Sequence, residues 1–329
     1  MLMRTQESSE ISSSSSIVHR EEAKPIVIDG RDVIHSVAFL VDGKHVVSGG
    51  EEQNIRRWRI EDGTEAGAPM DAGSAVYALA VSQDGKLIVG GTKAGLVTVW
   101  NAESHSKVTE FKAHGNEVYA VDVSPDTTKI ATGSDDKTAC VWSLSGKQLL
   151  NHLKHDYHVV AAKFSPNGRL IATATHYSAS VRVYDGQNGS LLVDFPVRVG
   201  SWRNHPLAWA SNSKQLFALS YDGNIHSVDV SAKTALSKWR IHGTNNATCI
   251  AMASNGTFIA ASSGSSVSFW DTTSQEQIGA VFEHAYGVES TAMSPNYDLV
   301  TSAGKEITLR ALCGFLPPHD VSIPAYKSL

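Results

Sequence analysis

The sequence contains little cysteine and no long apolar run. Its 329 residues include three cysteines, Cys140, Cys249 and Cys313, which are odd in number and far apart. Free thiols are therefore expected, which indicates a reducing compartment and a cytoplasmic protein, with the nucleus as the alternative location. No apolar run reaches the length of a transmembrane helix and the amino-terminal residues carry no secretory hydrophobic segment, so no membrane association is expected.

Blocks of like charge are also missing. Lys and Arg total 28 against 33 Asp and Glu, which gives a formal net charge of −5, and no stretch holds five or more like charges. Binding to nucleic acid or to an anionic membrane requires a basic surface field. The sequence therefore predicts neither as a partner.

The common signatures of metal and catalytic sites are absent from the sequence. It has no HExxH motif, no zinc-type spacing of Cys and His, no EF-hand loop, no phosphate-binding G-x4-G-K-[ST] loop and no G-x-S-x-G elbow. Each of these motifs places particular ligands or nucleophiles at a fixed spacing. The sequence therefore predicts a protein that is not an enzyme and that needs no metal and no cofactor.

The most informative stretch of the chain runs from His114 to Trp142. Two alternating apolar runs, Val118–Val123 and Lys129–Thr132, are joined by a turn at Pro125-Asp126, and a polar turn leads into a third run that ends at Trp142. Alternation of period two, interrupted every few residues by turn residues, is typical of a short antiparallel meander.

Four side chains in this stretch, His114, Thr132, Asp136 and Trp142, are spaced so that they can converge. They lie before the first strand, in the second strand, in the second turn and in the third strand. A His N–H bonded to Asp136, a hydroxyl bonded to His114 and an indole N–H bonded to Thr132 would satisfy every buried donor of the group.

The stretch resembles a WD repeat, the four-stranded blade of a β-propeller, in which these positions form a structural tetrad. The resemblance rests on Ala113-His114, on the Ser-Pro-Asp turn and on the run from Ser134 to Trp142. It implies an all-β fold of antiparallel blades.

Two independent markers show that the stretch recurs. The residues in the place of Trp142 are Trp58, Trp100, Trp142, Tyr184, Val228, Trp270 and Arg310, at steps of 42, 42, 42, 44, 42 and 40. The residues in the place of Asp126 are Asp42, Asp84, Asp126, Asn167, Asn212, Asn255 and Asn296. Asp and Asn side chains cap their own turns, and a period of about 40 residues belongs to propellers. The sequence therefore predicts one monomeric seven-bladed β-propeller.

The ends of the chain have different compositions. Residues 1–23 are Ser-rich and are predicted to be a disordered tail; residues 24–311 form the propeller and residues 312–329 a carboxy-terminal tail. The apolar residues 25–28 precede the first repeat, whereas the seventh repeat meets Gly314 and Pro317 before an outer strand is complete. Residues 25–28 are therefore expected to supply the outer strand of blade 7, because this closure removes two exposed sheet edges.

The fourth and fifth repeats differ from the others at the positions that enter the first strand and form the second turn. Most blades have small or charged residues there, whereas these two carry large aromatic and basic ones. We predict a patch on blades 4 and 5 that binds a partner, composed of Tyr157, His158, Tyr177, Trp202, Arg203 and Tyr221. Tyr, Trp and Arg are enriched at binding hot spots. The alternatives are that these side chains fill the interface between blades 4 and 5, or that they bind a ligand.

The resemblance also implies a function. Members of the WD-repeat family are expected to be non-catalytic scaffolds that dock protein or peptide partners on a propeller face, commonly within a multi-protein complex. The alternative is a small-molecule or catalytic site at the central channel, which converging carboxylates or histidines at the channel mouth would indicate. A third possibility is that the chain is a docking or sensor module of a longer architecture.

Overall fold

The structure is a computed structural model that describes residues 24–176, 178–200, 206–241, 247–294 and 298–312. These residues form 28 β-strands in seven four-stranded antiparallel sheets, and β1 (Ile26–Asp29) comes first in the chain. No helix in this part of the chain is long and apolar enough to cross a bilayer. The predicted tail of residues 1–23 lies outside the described residues, as does the predicted tail of residues 312–329 apart from Leu312, which is buried.

Blades 1 to 6 each take four consecutive strands of the chain, whereas blade 7 combines the last three strands with β1. Blades 1 to 4 consist of β2 (Ile34–Phe39), β3 (His45–Gly50), β4 (Asn54–Arg59) and β5 (Met70–Asp71); β6 (Val76–Val81), β7 (Leu87–Thr92), β8 (Leu96–Asn101) and β9 (Lys107–Lys112); β10 (Val118–Val123), β11 (Lys129–Ser134), β12 (Thr138–Ser143) and β13 (Leu153–Lys154); and β14 (Val159–Phe164), β15 (Leu170–Thr175), β16 (Ala179–Asp185) and β17 (Leu191–Arg198). Blades 5 to 7 consist of β18 (Leu207–Trp209), β19 (Gln215–Leu219), β20 (Asn224–Asp229) and β21 (Thr234–Arg240); β22 (Ala247–Met252), β23 (Phe258–Ser263), β24 (Ser266–Asp271) and β25 (Gln277–Glu283); and β26 (Val288–Met293), β27 (Asp298–Ala303), β28 (Glu306–Ala311) and β1.

The blades are arranged in a ring around a central channel. The first strand of each blade packs against the first strand of the next, and β26 packs against β2. This arrangement is a seven-bladed β-propeller, which confirms the fold predicted from the two repeat markers.

The amino-terminal strand closes the ring. β1 pairs antiparallel with β28, in a register that places Ile26 opposite Leu309 and Asp29 opposite Glu306. Ile28 is 4% exposed and belongs to an apolar cluster that extends into blade 1. The predicted closure is therefore confirmed.

The predicted turn chemistry is present in all six blades whose first turn is described. The Asp or Asn side chain accepts a hydrogen bond from the backbone N–H two residues later, as Asp126 does from Thr128 at 3.1 Å. The residue after it has a positive φ in each case, with Gly in four blades and with Thr127 and Ser213 in the other two. The turn of blade 7, at Asn296, lies outside the described residues.

Large buried side chains hold neighbouring blades together. Trp100 packs in a cluster with Val47 and Ile55 of blade 1, and Trp142 packs in a cluster with Val97 of blade 2. A buried side chain of this size contributes roughly 1.5–3 kcal/mol through the apolar area that it removes from water. This packing orders the ring and fixes the turns at its two ends.

The interface between blades 4 and 5 is filled by residues that the sequence did not single out. Val193, Phe195 and Val197 of β17 belong to the same buried apolar cluster as Leu207 and Trp209 of β18. They compensate for the small Val228 at the position that carries Trp in four other blades. Tyr157 and Tyr221, on the rim of these blades, are exposed and lie outside this cluster.

Candidate functional site

One end of the ring, which we call the upper rim, is formed by the residues that enter each first strand and by the second turns. In blades 1 to 5 a second-turn N–H donates to the carbonyl of an entry residue, over 2.9 to 3.0 Å. The residue pairs, entry residue first, are Val33 and Glu51, Ala75 and Lys93, Glu117 and Asp135, His158 and His176, and Arg198 and Tyr221. The same backbone bond therefore presents small or acidic side chains on blades 1 to 3 and basic or aromatic ones on blades 4 and 5, apart from Lys93.

Three of the six residues of the predicted patch are described by the structure. Tyr157 is 43% exposed and Tyr221 is 41% exposed, whereas His158 is half-buried. Tyr177, Trp202 and Arg203 lie outside the described residues. The two exposed tyrosines belong to adjacent blades on the same rim.

His158 links blade 4 to blade 3. Its Nδ1 lies 2.8 Å from Oδ1 of Asp135 and 2.9 Å from the Asp135 backbone oxygen. The same carboxylate oxygen accepts a hydrogen bond from the Tyr119 hydroxyl at 3.1 Å. These contacts fix the ring of His158, so Tyr157 is presented from an ordered support.

Aromatic rings continue this network around the rim. Tyr119 and Tyr77 are stacked with their centroids 6.1 Å apart, and Tyr77 meets His35 edge-on at 5.2 Å. These three residues occupy the second position of the first strand in blades 3, 2 and 1. That repeated position is the sequence signal that would have revealed them.

A small basic cavity lies beside Tyr221. It encloses about 280 Å³ and is lined by Pro196, Arg198, Ser220, Tyr221, Asp222, His226 and Lys238. The Arg198 guanidinium carbon is 5.9 Å from the centre of the Tyr221 ring, within the range of a cation–π contact. Sequence reasoning missed Arg198 and Lys238, because a long connection separates Arg198 from β18 and because Lys238 lies on an outer strand.

The positive charge beside Tyr221 comes from Arg198 and Lys238 rather than from the imidazoles of His176 and His226. Burial, followed by the nearby charges of His158 and Arg198, lowers the pKa of His176 to about 4. Burial and the charge of Lys238 also lower the pKa of His226. Both rings are therefore neutral at pH 7, and the cavity retains two cations against the single carboxylate of Asp222.

The four predicted tetrad residues of blade 3 form one hydrogen-bonded group. His114 Nδ1 lies 2.9 Å from Asp136 Oδ2, His114 Nε2 lies 2.6 Å from Thr132 Oγ1, and the Trp142 indole N–H donates to Thr132 Oγ1 at 2.9 Å. With the proton on Nδ1, His114 donates to Asp136 and accepts from Thr132, so every polar atom is satisfied. The group lies between strands and serves to hold blade 3 together.

The two cysteines of the described residues, Cys140 and Cys249, are buried. Burial raises the pKa of the Cys140 thiol to about 12 and also raises the pKa of the Cys249 thiol. Both cysteines are free thiols. No group of three His, Cys, Asp or Glu residues in the described part of the chain is placed to hold a metal ion.

Comparison with known families agrees with this geometry. The family model described as WD domain, G-beta repeat matches residues 25–59, 70–101, 105–143, 146–185 and 233–271, together more than half of the chain. The chain belongs to the WD40 family. No curated protein matches it significantly.

The two WD40 blades that the family model does not match are those that depart furthest from the motif. Blade 5 has Val228 and blade 7 has Arg310 where most blades carry Trp. In blade 7 the Arg310 guanidinium lies over the Phe282 ring at 4.4 Å. Packing therefore maintains these WD40 blades where the motif is lost.

Two other WD40 blades carry an ion pair near the tetrad positions: blade 1, which has Gly30 in place of the histidine, and blade 4, which keeps His155. In blade 1 the buried Arg56 donates from Nε to Glu52 at 2.6 Å and also pairs with Glu65. In blade 4 the Arg182 guanidinium bonds to Asp194 at 2.9 Å beside His155. Blades 6 and 7 have a second turn that is one residue shorter than in blade 3, so they have no position equivalent to Asp136.

Proposed function

We propose that this WD40 propeller is a non-catalytic scaffold that docks a protein or peptide partner on the upper rim of blades 4 and 5. WD40 propellers generally mediate interactions between proteins and are typically non-catalytic. The observation that carries the proposal is the exposure of Tyr157 and Tyr221 on adjacent blades, beside the cation of Arg198.

The chemistry of this sector supports a protein partner. A tyrosine provides a large contact area and a polar hydroxyl at a small cost in side-chain entropy, and Arg supplies charged hydrogen bonds. His158 is fixed by Asp135 at 2.8 Å, so the neighbouring rim is ordered before a partner arrives. Pre-ordering lowers the entropic cost of association.

An affinity capture with the full chain tests the docking site. The double variant Tyr157→Ala, Tyr221→Ala is compared with wild type, and Tyr286→Ala serves as the matched control. Tyr286 follows His284 in blade 7 as Tyr157 follows His155 in blade 4, and it is 57% exposed.

The expected result is that proteins captured by wild type and by the control are lost from the double variant. With one captured protein purified, calorimetry should then show binding about 10- to 100-fold weaker in the double variant, because a hot-spot residue accounts for about 2 kcal/mol. Equal binding by all three chains would contradict docking on blades 4 and 5.

The proposal also includes a monomeric propeller in the cytoplasm that binds neither nucleic acid nor membrane. Its support is the formal net charge of −5 and the pair of buried free thiols. Light scattering on the purified chain should give the mass of one copy, and a fluorescent fusion should be cytoplasmic. A dimer mass, or accumulation in a secretory compartment, would contradict this part.

A further inference from the structure

One level of the central channel carries a repeated position with an unusual composition. The seven first strands each contribute the residue that lies four positions before the Asp or Asn of the first turn. These residues are Ala38, Ala80, Asp122, Lys163, Ala208, Ala251 and Ala292. All seven line the channel, and five of them carry no atom beyond Cβ.

The two exceptions carry opposite charges and lie on adjacent blades. Asp122 is opposite Ala131 in its blade, and Lys163 is opposite Ala172 in its own, which is the same register. The residues that line the channel include no further charged side chain among those described. The pair is therefore a local feature of blades 3 and 4 within a ring that is otherwise alanine.

The backbone around the two charges is already occupied by bonds between blades. One carboxylate oxygen of Asp122, Oδ2, accepts the backbone N–H of Phe164 at 2.8 Å. The backbone oxygen of Lys163 accepts the indole N–H of Trp209 at 3.3 Å. The Val123 backbone N–H also bonds to this carboxylate, and both Asp122 and Lys163 line the channel.

The charges of Asp122 and Lys163 interact over a distance longer than that of an ion pair. Burial raises the pKa of the Asp122 carboxyl and the charge of Lys163 opposes that rise. No ion pair within 4.0 Å joins them among the ion pairs of the described chain. A charge taken from water without a close partner is costly, so an ionic group placed between the two would relieve both.

The walls of the channel are partly polar and partly apolar. The cavity encloses about 390 Å³, and the half-buried Met252 and Met293 contribute to its apolar lining. Phe39 and Phe164 are buried in apolar clusters of the core. This volume is within the range of sites for small molecules. The channel has room for a ligand with an apolar body.

We propose that the central channel binds a small zwitterion with an apolar side chain, of the chemical class of the amino acids. Its ammonium is held by Asp122 and its carboxylate by Lys163, while the side chain lies against Met252 and Met293. A single cation or a single anion would leave one channel charge without its complement. The site is separate from the upper rim and does not depend on docking there.

Calorimetry with the full chain tests the site, with L-phenylalanine and L-leucine as probes. N-acetyl-L-phenylalanine lacks the ammonium charge and L-phenylalaninamide lacks the carboxylate. Each should therefore bind at least about tenfold more weakly than L-phenylalanine. Equal binding of the parent and both derivatives, or no heat from either amino acid, would overturn the proposal.

Two single variants locate the binding. Asp122→Asn keeps an oxygen that can accept the Phe164 N–H, and Lys163→Met keeps the apolar stem, so both should fold and both should weaken binding about tenfold or more. The controls, Glu103→Gln and Lys147→Met, make comparable charge changes at exposed positions and should bind as wild type. Single variants that bind as tightly as these controls would overturn the proposal.

A double variant distinguishes loss of binding from loss of the fold. In Asp122→Ala, Lys163→Ala the level becomes seven alanines, a residue that five blades already carry at this position. We expect an unchanged circular dichroism spectrum and no binding of either amino acid. Binding that persists in this variant would place the amino acid elsewhere and would overturn the proposal.

Discussion

The Thr132 hydroxyl is the centre of the blade 3 tetrad, because it meets both the His114 ring and the Trp142 indole. Thr132→Val removes this partner from two buried nitrogens. We expect the free energy of unfolding to fall by about 1–3 kcal/mol, measured by urea titration. Thr234→Val, at an exposed position, should change it by less than about 0.5 kcal/mol. Equal effects of the two substitutions would mean that the tetrad does not stabilise the blade.

Two buried histidines should make the protein sensitive to mild acid. Burial is the first cause that lowers the pKa of both His155 and His176 to about 4, from the ordinary value of 6.5. The unfolded chain therefore takes up protons first as the pH falls below 6.5, and the free energy of unfolding should decrease from there down to about pH 4.

The double variant His155→Gln, His176→Gln provides the comparison. Thermal unfolding at pH 7, 6, 5 and 4.5 should show a smaller loss of stability for this variant than for wild type. The same dependence on pH in both chains would assign the acid sensitivity to other groups.

The tetrad could be placed from sequence because alternation and turn positions fix which side chains converge. The basic cavity beside Tyr221 could not. The backbone bond that brings Arg198 to the rim joins it to Tyr221 across a connection longer than in the other blades. In the sequence, Asp122 and Lys163 differ from the alanines that the other five repeats carry at the same position. Only the structure shows that these positions line one channel.

At the scale of elements, β1 stabilises the ring through the side chains on one of its two faces. Ile28 is buried at 4% exposure and its neighbour Val27 is 57% exposed. Ile28→Ala should therefore lower the free energy of unfolding by about 2–5 kcal/mol, and Val27→Ala by less than about 0.5 kcal/mol. Denaturant titration of both variants makes the comparison, and a cost at Val27 equal to that at Ile28 would contradict the observed pairing face.

Truncation tests the same strand as a unit. Deletion of residues 1–30 removes β1 and exposes the edge of β28, whereas deletion of residues 1–22 leaves β1 in place. The first should lower the thermal midpoint sharply and promote aggregation; the second should leave the midpoint unchanged. Equal midpoints would show that β1 does not stabilise the ring.

Strand β1 was predictable because an apolar segment without a partner and a repeat without an outer strand require each other. The short second turns of blades 6 and 7 were not recognised. Their signal is the spacing from the turn Asp or Asn to the Trp position, which is 16 residues from Asp126 to Trp142 but 15 from Asn255 to Trp270. The nearly constant repeat length hides this difference, because a longer segment elsewhere compensates for it.

At the scale of the whole molecule, closure depends on where β1 lies and not on its order in the chain. Antiparallel pairing places Ile26 opposite Leu309, so the start of β1 lies near the end of β28. A permuted chain of residues 31–312, a short Gly-Ser linker and residues 25–30 keeps every strand pairing. We expect it to fold and to unfold in one cooperative transition.

The matched control for this permuted chain ends at residue 312 and lacks the linker and residues 25–30. It has the same new amino terminus but no outer strand in blade 7. Circular dichroism and thermal unfolding should show a folded permuted chain and a destabilised control. A control as stable as the permuted chain would contradict a geometric role for β1.

The position of β1 also has a consequence for biosynthesis. Strand β1 is made before every other strand of the ring, and its partner β28 follows roughly 280 residues later. At about 5–20 residues per second, a ribosome takes on the order of 15–60 s to produce that interval. For this time two sheet edges of the ring lack their partners, so we expect the nascent chain to be open to pairing with other chains until β28 emerges.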